Sequence, residues 1–264
     1  MIYFKRSHLG TALPIDGDKQ FCLIMGWVRE QLKELKLESL SHCLVNTAYT
    51  NSRANQYLDK MKVNHVVVPT GVKNAHPEVQ KYVIGANDEP NGHGTIVVKW
   101  NKLNEALEGR ENEFAAKKLV SFLKLSNPFV GDAICNLLMI EAVLRDRDFS
   151  LDFFLAVYKE NPNKMYKVVV RDRTKWKTTW DETRLLEPSM FQGYLDYYVN
   201  LREECRAFAR PSGTEDILRL YVEAADEADV NQVGDALIRE IQKSYADFGV
   251  NLDAHDAGCL SIFC

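Results

Sequence analysis

Hydrophobic positions in the first third of the chain change from helical to strand spacing and back. Residues 17–35 place apolar side chains at every third or fourth position, which predicts a helix with one buried stripe. Two short apolar runs follow, residues 43–48 and 65–69, and a helical segment, 52–61, separates them. Strand, helix and strand in this order predict a parallel pair of strands with a right-handed crossover.

Two further strands are predicted on either side of a polar turn, at residues 83–86 and 95–99. The dipeptide Asn91-Gly92 between them is the one preferred in type I′ hairpin turns. Residues 101–125 predict one charged helix. The next helix is apolar nearly all round, so it is expected to be buried; its apolar residues are Ile134, Leu137, Leu138, Ile140, Ala142, Val143 and Leu144.

The pattern breaks at Asn161-Pro-Asn163, where we place a domain boundary. The elements beyond it predict a small α+β layer in the order β–α–β–β–α. A polar stretch without clear period, 172–186, separates the first strand of this layer from its first helix. Four segments result: residues 1–15 as the remnant of a preceding domain, 16–162 as an α/β domain, 163–248 as the α+β domain, and 249–264 as a loose tail.

Composition narrows the class of protein without identifying it. Of 264 residues, 46% are hydrophobic and the net charge is −4, without a Lys/Arg run of the kind that binds nucleic acid. No run of 18 apolar residues predicts a membrane span. The six cysteines form no CxxC pair, which favours reduced thiols and a cytoplasmic location. The oligomeric state is left open.

A short turn between the last two predicted strands carries an arginine at each end. It reads Arg210-Pro-Ser-Gly-Thr-Glu-Asp216, and Arg219 follows early in the next strand. Two guanidinium forks around small polar residues suit a dianionic phosphate, because bidentate charge-assisted contacts are strong. A plain hairpin that happens to contain two arginines explains the same residues equally well.

The turn around Asn91 is more polar than a hairpin requires. Asp88, Glu89, Asn91 and His93 could bind neighbouring sugar hydroxyls, since carboxylates and amides accept or donate to them. Lys73, after the strand at 65–69, could contact an anion, although a solvated lysine is the simpler interpretation.

The pair Asp16 and Asp18 has the spacing of a metal-binding motif, but it stands directly before the first predicted helix. An aspartate at that position more often caps the helix, because its carboxylate accepts the free N–H groups of the first turn. We therefore favour capping over metal binding.

Together these segments resemble the α-D-phosphohexomutases. Arg210-Pro-Ser-Gly-Thr to Arg219 resembles their phosphate-binding loop, and Glu89-Pro-Asn-Gly-His93 their sugar-binding loop, in the form of the branch that acts on N-acetylglucosamine phosphates. Ile15-Asp-Gly-Asp-Lys19, Asn46-Thr-Ala-Tyr49 and Thr70-Gly-Val-Lys73 also look like segments of that branch, in the same order. The resemblance implies a mixed-sheet α/β domain, the family's third, followed by a smaller α+β C-terminal domain with a TBP-like layer.

The resemblance also implies a function. Such enzymes interconvert N-acetylglucosamine 6-phosphate and 1-phosphate on the route to UDP-N-acetylglucosamine, with a phosphoserine and Mg²⁺. Carried over to this chain, the residues that would bind the hexosamine phosphate are Lys73, Glu89, Pro90, Asn91, His93, Arg210, Pro211, Ser212, Gly213, Thr214 and Arg219.

The departures from the family concern its chemistry. The nucleophile segment, of the form Thr-Ala-Ser-His-Asn-Pro, has no counterpart here, and Asp16-Gly-Asp18 lacks the third Asp and the Arg of the metal loop. We therefore expect no catalytic residue and no Mg²⁺ ligand in this chain, which would begin after the metal loop and be inactive alone. Two alternatives stay open: a non-catalytic sugar-phosphate-binding or regulatory module, and a destabilised fragment.

Overall fold

A computed structural model describes residues 3–6 and 12–247, and its chain divides into two compact units between Glu160 and Asn161. The first unit contains β1 (Tyr3–Arg6), β2 (Ala12–Ile15), α1 (Gly17–Glu34), β3 (His42–Thr47), α2 (Ser52–Met61), β4 (Asn64–Val68), α3 (Val72–Val79), β5 (Ile84–Asp88), β6 (Gly94–Val98), α4 (Trp100–Ala106), α5 (Phe114–Leu123), α6 (Ala133–Arg147) and α7 (Leu151–Leu155). The second contains β7 (Asn163–Val169), β8 (Lys177–Thr178), β9 (Leu185–Glu187), α8 (Ser189–Asn200), β10 (Arg206–Pro211), β11 (Ile217–Glu223) and α9 (Glu227–Asp247).

The first unit is built on a mixed four-stranded sheet in the order β4-β3-β5-β6. β3 runs parallel to β4 and to β5, whereas β6 is antiparallel to β5. The predicted parallel pair is confirmed. Because β3, β4 and β5 end at the same edge, the loops after Thr47, Val68 and Asp88 all leave the sheet there, at the edge where α/β sheets bind ligands.

Helix α1 is the centre of the first unit's core. The carboxylate of Asp16 accepts a hydrogen bond from the backbone N–H of Lys19 (2.9 Å), so the capping interpretation is confirmed. Phe21, Ile24 and Leu32 are fully buried, as the apolar stripe predicts. Complete burial of each such side chain stabilises the fold by about 1.5–3 kcal/mol, so α1 is held firmly against the sheet.

Two predictions for the helical region of this unit are wrong. Residues 101–125 form two helices, α4 and α5, because the chain turns between them at Gly109, whose φ is +74°. Helix α6 is buried on one side only, where Met139 and Ile140 face the core, while Ile134 is 70% and Leu138 50% exposed. An apolar pattern shows which faces could be covered, but not which faces have a neighbour.

The second unit is an antiparallel sheet in the order β10-β11-β7, with α8 and α9 packed on one face. Leu218, Leu220 and Val222 point to that face and are fully buried, because alternate residues of a strand face the same side of the sheet. The sequence predicts no element in the stretch 172–186. The structure has a 3₁₀ turn there, followed by β8 and by the start of the short strand β9, which pairs with β8.

Several sequence-based expectations concern residues at the ends of the chain. Residues 248–264, which include the predicted tail, Cys259 and Cys264, lie outside the described residues. The described cysteines, Cys22, Cys43, Cys135 and Cys205, are free thiols. In the described part of the chain, no helix is long and apolar enough to span a membrane.

Candidate functional site

The loop after β5 is a tight hairpin turn with an unexpected geometry. The N–H of Gly92 donates to the carbonyl of Glu89 (2.8 Å), and the N–H of Glu89 donates to the carbonyl of His93 (2.9 Å). Gly92 has φ +81°, whereas Asn91 has no positive φ. The hairpin is confirmed but the predicted type I′ turn is wrong, since Pro90 fits position i+1 of a type I turn followed by a left-handed glycine.

The polar side chains of this loop hold one another in place. Asn91 Nδ2 donates to Glu89 Oε2 (3.1 Å), and Asn91 Oδ1 accepts from the N–H of His93 (2.8 Å). Asn91 is exposed, and Glu89 is half-buried. The ring of His93 lies against Gly131, where an added Cβ would come within 2.4 Å of it. The loop thus presents a carboxylate and an amide in a fixed relation, which suits adjacent hydroxyl groups.

The N-terminus of α1 is hydrogen-bonded to the backbone of this loop. The N–H of Gly17 donates to the carbonyl of Pro90 (3.0 Å). An added Cβ on Gly17 would lie 2.0 Å from the carbonyl oxygen of Glu89, so a residue with a side chain does not fit there. The sugar-loop candidates therefore contact the N-terminus of the buried helix α1 directly.

A buried carboxyl pair lies beneath the same loop. Asp18 accepts hydrogen bonds from the N–H of Asn51 (2.9 Å) and the hydroxyl of Thr50 (3.3 Å), and it faces Asp88, the residue before Glu89. Burial, followed by the negative charge of Asp88, raises the pKa of Asp18 well above its usual value. Burial is also the main cause that raises the pKa of Asp88 to about 7.

This pair makes stability depend on pH. The folded state keeps a proton on Asp88 up to about pH 7, whereas the unfolded chain loses it near pH 4, so the free energy of unfolding falls as pH rises from about 4 to 7. We expect Asp88→Asn to stabilise the protein at pH 8 by on the order of a few kcal/mol and to flatten this dependence. Thermal unfolding at pH 5, 6, 7 and 8 measures both effects.

The exposed Asp235, on α9, provides the matched control. Asp235→Asn should leave the slope of melting temperature against pH unchanged, because this carboxylate is in contact with water in the folded state as it is in the unfolded chain. A wild-type melting temperature that does not change between pH 5 and 7 would show that Asp88 is not protonated in the folded protein.

The hydrogen bonds described for the sugar loop do not involve Lys73. It was predicted in a loop, but it occupies the first turn of α3 and is exposed. The sequence conceals this helix because Pro77 lies inside it and its N-cap, Gly71, makes no side-chain capping bond. A ligand contact by Lys73 stays a prediction.

The acidic residues near α1 do not suit a divalent metal ion. The carboxylate of Asp16 caps the helix, and that of Asp18 accepts from Thr50 and Asn51. The described residues contain no group of three or more His, Cys, Asp or Glu side chains that could hold a metal ion. The described residues thus do not fit the Mg²⁺ of the family.

The two arginines predicted to bind phosphate are brought together in the second unit. Arg210 and Arg219 are direct partners in the antiparallel register of β10 and β11, so their side chains leave the same face of the sheet. In the turn between the strands, the N–H groups of Thr214 and Glu215 are directed at Ser212 Oγ, 3.4 Å away in each case. Ser212 is buried, whereas Gly213 and Thr214 are exposed.

The surroundings of the two guanidinium groups differ. Arg210 Nε lies 3.4 Å from Glu182 Oε2. The Nε of Arg219 is buried and reaches no acceptor among the described residues, while its Nη1 is directed at Met165 Sδ, 3.9 Å away. Like charges directly opposite each other are destabilising, and a buried donor without an acceptor costs about 1–3 kcal/mol. An anion between the arginines would remove both costs.

Comparison with known proteins agrees with this architecture. The family model for phosphoacetylglucosamine mutase AMG1, domain III, matches residues 16–149, and that for the phosphoglucomutase/phosphomannomutase C-terminal domain matches residues 195–240. A crystal structure of an N-acetylglucosamine-phosphate mutase, a member of the alpha-D-phosphohexomutase superfamily, superposes with a TM-score of 0.84 at 32% identity, covering 91% of this chain and 46% of that one. Fold and sequence together place this chain in the α-D-phosphohexomutase superfamily.

Comparison with curated proteins identifies the family within this superfamily. Phosphoacetylglucosamine mutase from Sus scrofa is 38% identical over 248 residues, covering 91% of this chain, and the Arabidopsis thaliana enzyme is 33% identical, covering 88%. The chain belongs to the phosphoacetylglucosamine mutase family. It spans 45% of the length of the Sus scrofa protein and 44% of the Arabidopsis protein.

The sequence did not reveal the contacts of two residues, Asp88 beside the sugar loop and Glu182 beside Arg210. Asp88 is grouped with the sugar contacts by its position in a polar turn, but it ends β5 and only 1% of it is exposed. Glu182 belongs to a stretch without periodicity, and no pattern in the sequence connects it with Arg210. Both roles depend on contacts between segments that are distant in sequence.

Proposed function

We propose that this chain carries the sugar- and phosphate-recognition part of a phosphoacetylglucosamine mutase, which interconverts N-acetylglucosamine 6-phosphate and 1-phosphate for UDP-N-acetylglucosamine synthesis. The observation that carries the proposal is the pairing of Arg210 with Arg219, whose buried Nε lacks an acceptor. A solved N-acetylphosphoglucosamine mutase from Aspergillus fumigatus, in complex with GlcNAc-6P and magnesium, supports it; the two structures superpose with a TM-score of 0.85 at 28% identity.

In this proposal the two loops have separate tasks. The phosphate clamp, defined as Arg210, Ser212, Gly213, Thr214 and Arg219, binds the phosphate that does not react, with Pro211 shaping the turn. The loop of Glu89, Pro90, Asn91 and His93 binds sugar hydroxyls. A mutase must release its bisphosphate intermediate and bind it again in the opposite orientation. A clamp of guanidinium and hydroxyl groups suits either end, because it recognises only the phosphate.

The same proposal limits what the chain does by itself. Phosphoryl transfer needs a donor and a metal ion that stabilises the moving charge. The sequence contains no segment of the nucleophile type, and the described residues contain no group suited to a metal. Binding without turnover is therefore the expected behaviour of this chain.

Calorimetry and a mutase assay test the two parts of this proposal. We expect N-acetylglucosamine 6-phosphate to bind, and N-acetylglucosamine, which lacks the phosphate, to bind at least tenfold more weakly, since about 1.4 kcal/mol is tenfold and a charged hydrogen bond contributes more. Turnover should be absent with Mg²⁺ and a hexose bisphosphate added.

Equal affinity for the two sugars would rule out the phosphate clamp. Sustained turnover by the purified chain would show instead that it contains its own nucleophile. Adding a polypeptide that supplies the remaining part of the Sus scrofa enzyme separates a mutase part from a purely regulatory module, because only the former would gain activity.

A further inference from the structure

We infer that Glu182 is a positioning residue for the phosphate clamp, because it holds the guanidinium of Arg210 ready for the ligand. This inference rests on the proposed function. Glu182 Oε2 lies 3.4 Å from Arg210 Nε, and the two side chains are only 19% and 12% exposed. The attraction in an ion pair so shielded from water is less screened than in a surface pair, so it orients the two side chains more strongly.

The turn that presents Glu182 is rigidly built. It connects β8 to β9, and its backbone is closed by hydrogen bonds from the N–H of Glu182 to the carbonyl of Thr179 (3.0 Å) and from Thr179 N–H to the carbonyl of Arg184 (2.8 Å). The carboxylate of Asp181 accepts from both the N–H and the hydroxyl of Thr183, at 3.2 and 2.9 Å. The position of the Glu182 backbone is thus determined by its neighbours.

Glu182 itself has an unfavourable backbone conformation. Its φ is +61°, in the left-handed region that glycine, asparagine and aspartate occupy more readily. Strain of this kind persists when the surroundings determine it, and it is concentrated at functional sites. In this turn, the left-handed residue is the one whose carboxylate contacts Arg210.

The contact with Glu182 fixes the orientation of the Arg210 guanidinium. Glu182 lies beside Nε, and Nη1 is directed at the carbonyl of Pro211, 3.4 Å away, so the guanidinium is held from two sides next to the turn that a phosphate would meet. A long side chain that is already oriented loses less entropy when it binds. Glu182 also adds a negative charge, which opposes phosphate binding. The two effects have opposite signs, so the change in affinity on removing Glu182 shows which is larger.

Binding of inorganic phosphate to the full chain tests the inference by calorimetry. We expect Glu182→Ala to weaken binding about tenfold, the cost of ordering one long side chain, and Glu182→Gln to restore it to within about twofold, because an amide oxygen still accepts from Nε. The control is Glu187→Ala, which removes an exposed carboxylate paired with Lys177 (2.8 Å) across the same two strands; it should not change the affinity.

A double-mutant cycle shows whether Glu182 affects phosphate binding through Arg210. If Glu182 acts through Arg210, Glu182→Ala should add no loss to Arg210→Ala, whereas independent effects would add. Melting temperatures of all variants, compared with Glu187→Ala, detect any variant that fails to fold. Unchanged or tighter phosphate binding by Glu182→Ala would overturn the inference, since Glu182 would then be neutral or a competitor of the ligand.

A second measurement does not need a ligand. The NMR signal of the Arg210 Nε–H should exchange slowly with water in the wild type and in Glu182→Gln, and should be lost in Glu182→Ala. A signal that persists in Glu182→Ala would also overturn the inference. If the wild-type chain binds no phosphate while this signal behaves as expected, the proposed function fails and the positioning of Arg210 by Glu182 stands.

Discussion

Arg219→Met is expected to weaken binding of N-acetylglucosamine 6-phosphate about 30-fold while leaving the protein at least as stable as the wild type. A hydrogen bond to a charged group contributes about 1.5–3 kcal/mol, and about 2 kcal/mol corresponds to this loss. Stability should not fall, because the buried Nε of Arg219 has no acceptor among the described residues and its charge lies opposite Arg210. Methionine keeps the apolar stem. Calorimetry and thermal unfolding of the same preparations measure both quantities.

The combination of weaker binding with unchanged or higher stability distinguishes a ligand-binding arginine from a structural one. Arg184→Met is the matched control, because Arg184 is exposed and pairs with Asp196 (2.8 Å) in the same unit. A surface pair contributes about 0–1 kcal/mol, so both readouts should change little. A clear loss of stability in Arg219→Met, without a change in affinity, would assign Arg219 to the fold instead of the ligand.

Gly17→Ala is expected to lower the free energy of unfolding by about 1–3 kcal/mol, the usual cost of overpacking. It should also abolish sugar recognition, so that N-acetylglucosamine 6-phosphate binds no more tightly than inorganic phosphate. Local propensity predicts the opposite, since alanine is better than glycine in a helix by about 1 kcal/mol. The close approach decides the sign: the new Cβ would lie 2.0 Å from the backbone carbonyl of Glu89, which cannot move without displacing the sugar loop. Urea denaturation measures the first effect, and calorimetry with N-acetylglucosamine 6-phosphate and with inorganic phosphate measures the second.

Gly193→Ala is the control for this substitution. Gly193 lies inside α8, and apart from its chain neighbours and the nearby backbone of its own helix no atom lies within 4 Å of an added Cβ. This variant should be stabilised by up to about 1 kcal/mol through helix propensity alone. If Gly17→Ala were as stable as Gly193→Ala and still recognised the sugar, the sugar loop would not depend on the N-terminus of α1.

The elements that the sequence predicts well are those with a strong local pattern. The stripe of Phe21 and Ile24 identifies α1, and Asp16 identifies its start, because a capping bond forms within one turn. Errors occur where the decisive neighbour is distant. Ile134 is apolar yet exposed because no described element covers that side of α6. The error at Asn91 is local instead, because the adjacent Pro90 fits position i+1 of a type I turn.

The sequence by itself determined the first helix, the parallel strand pair, the β–α–β–β–α order of the main elements in the second unit, the resemblance to the family, and the two loops that are the best candidates for binding sugar and phosphate. These conclusions depend on short-range spacing and on turn residues that lie next to one another in the chain. Only the tertiary structure decided that Arg210 faces Arg219, that Glu182 reaches Arg210, and that Asp18 and Asp88 form a buried carboxyl pair. The physical reason is that strand register and burial bring together residues from distant segments, and their charges interact strongly only where water is excluded.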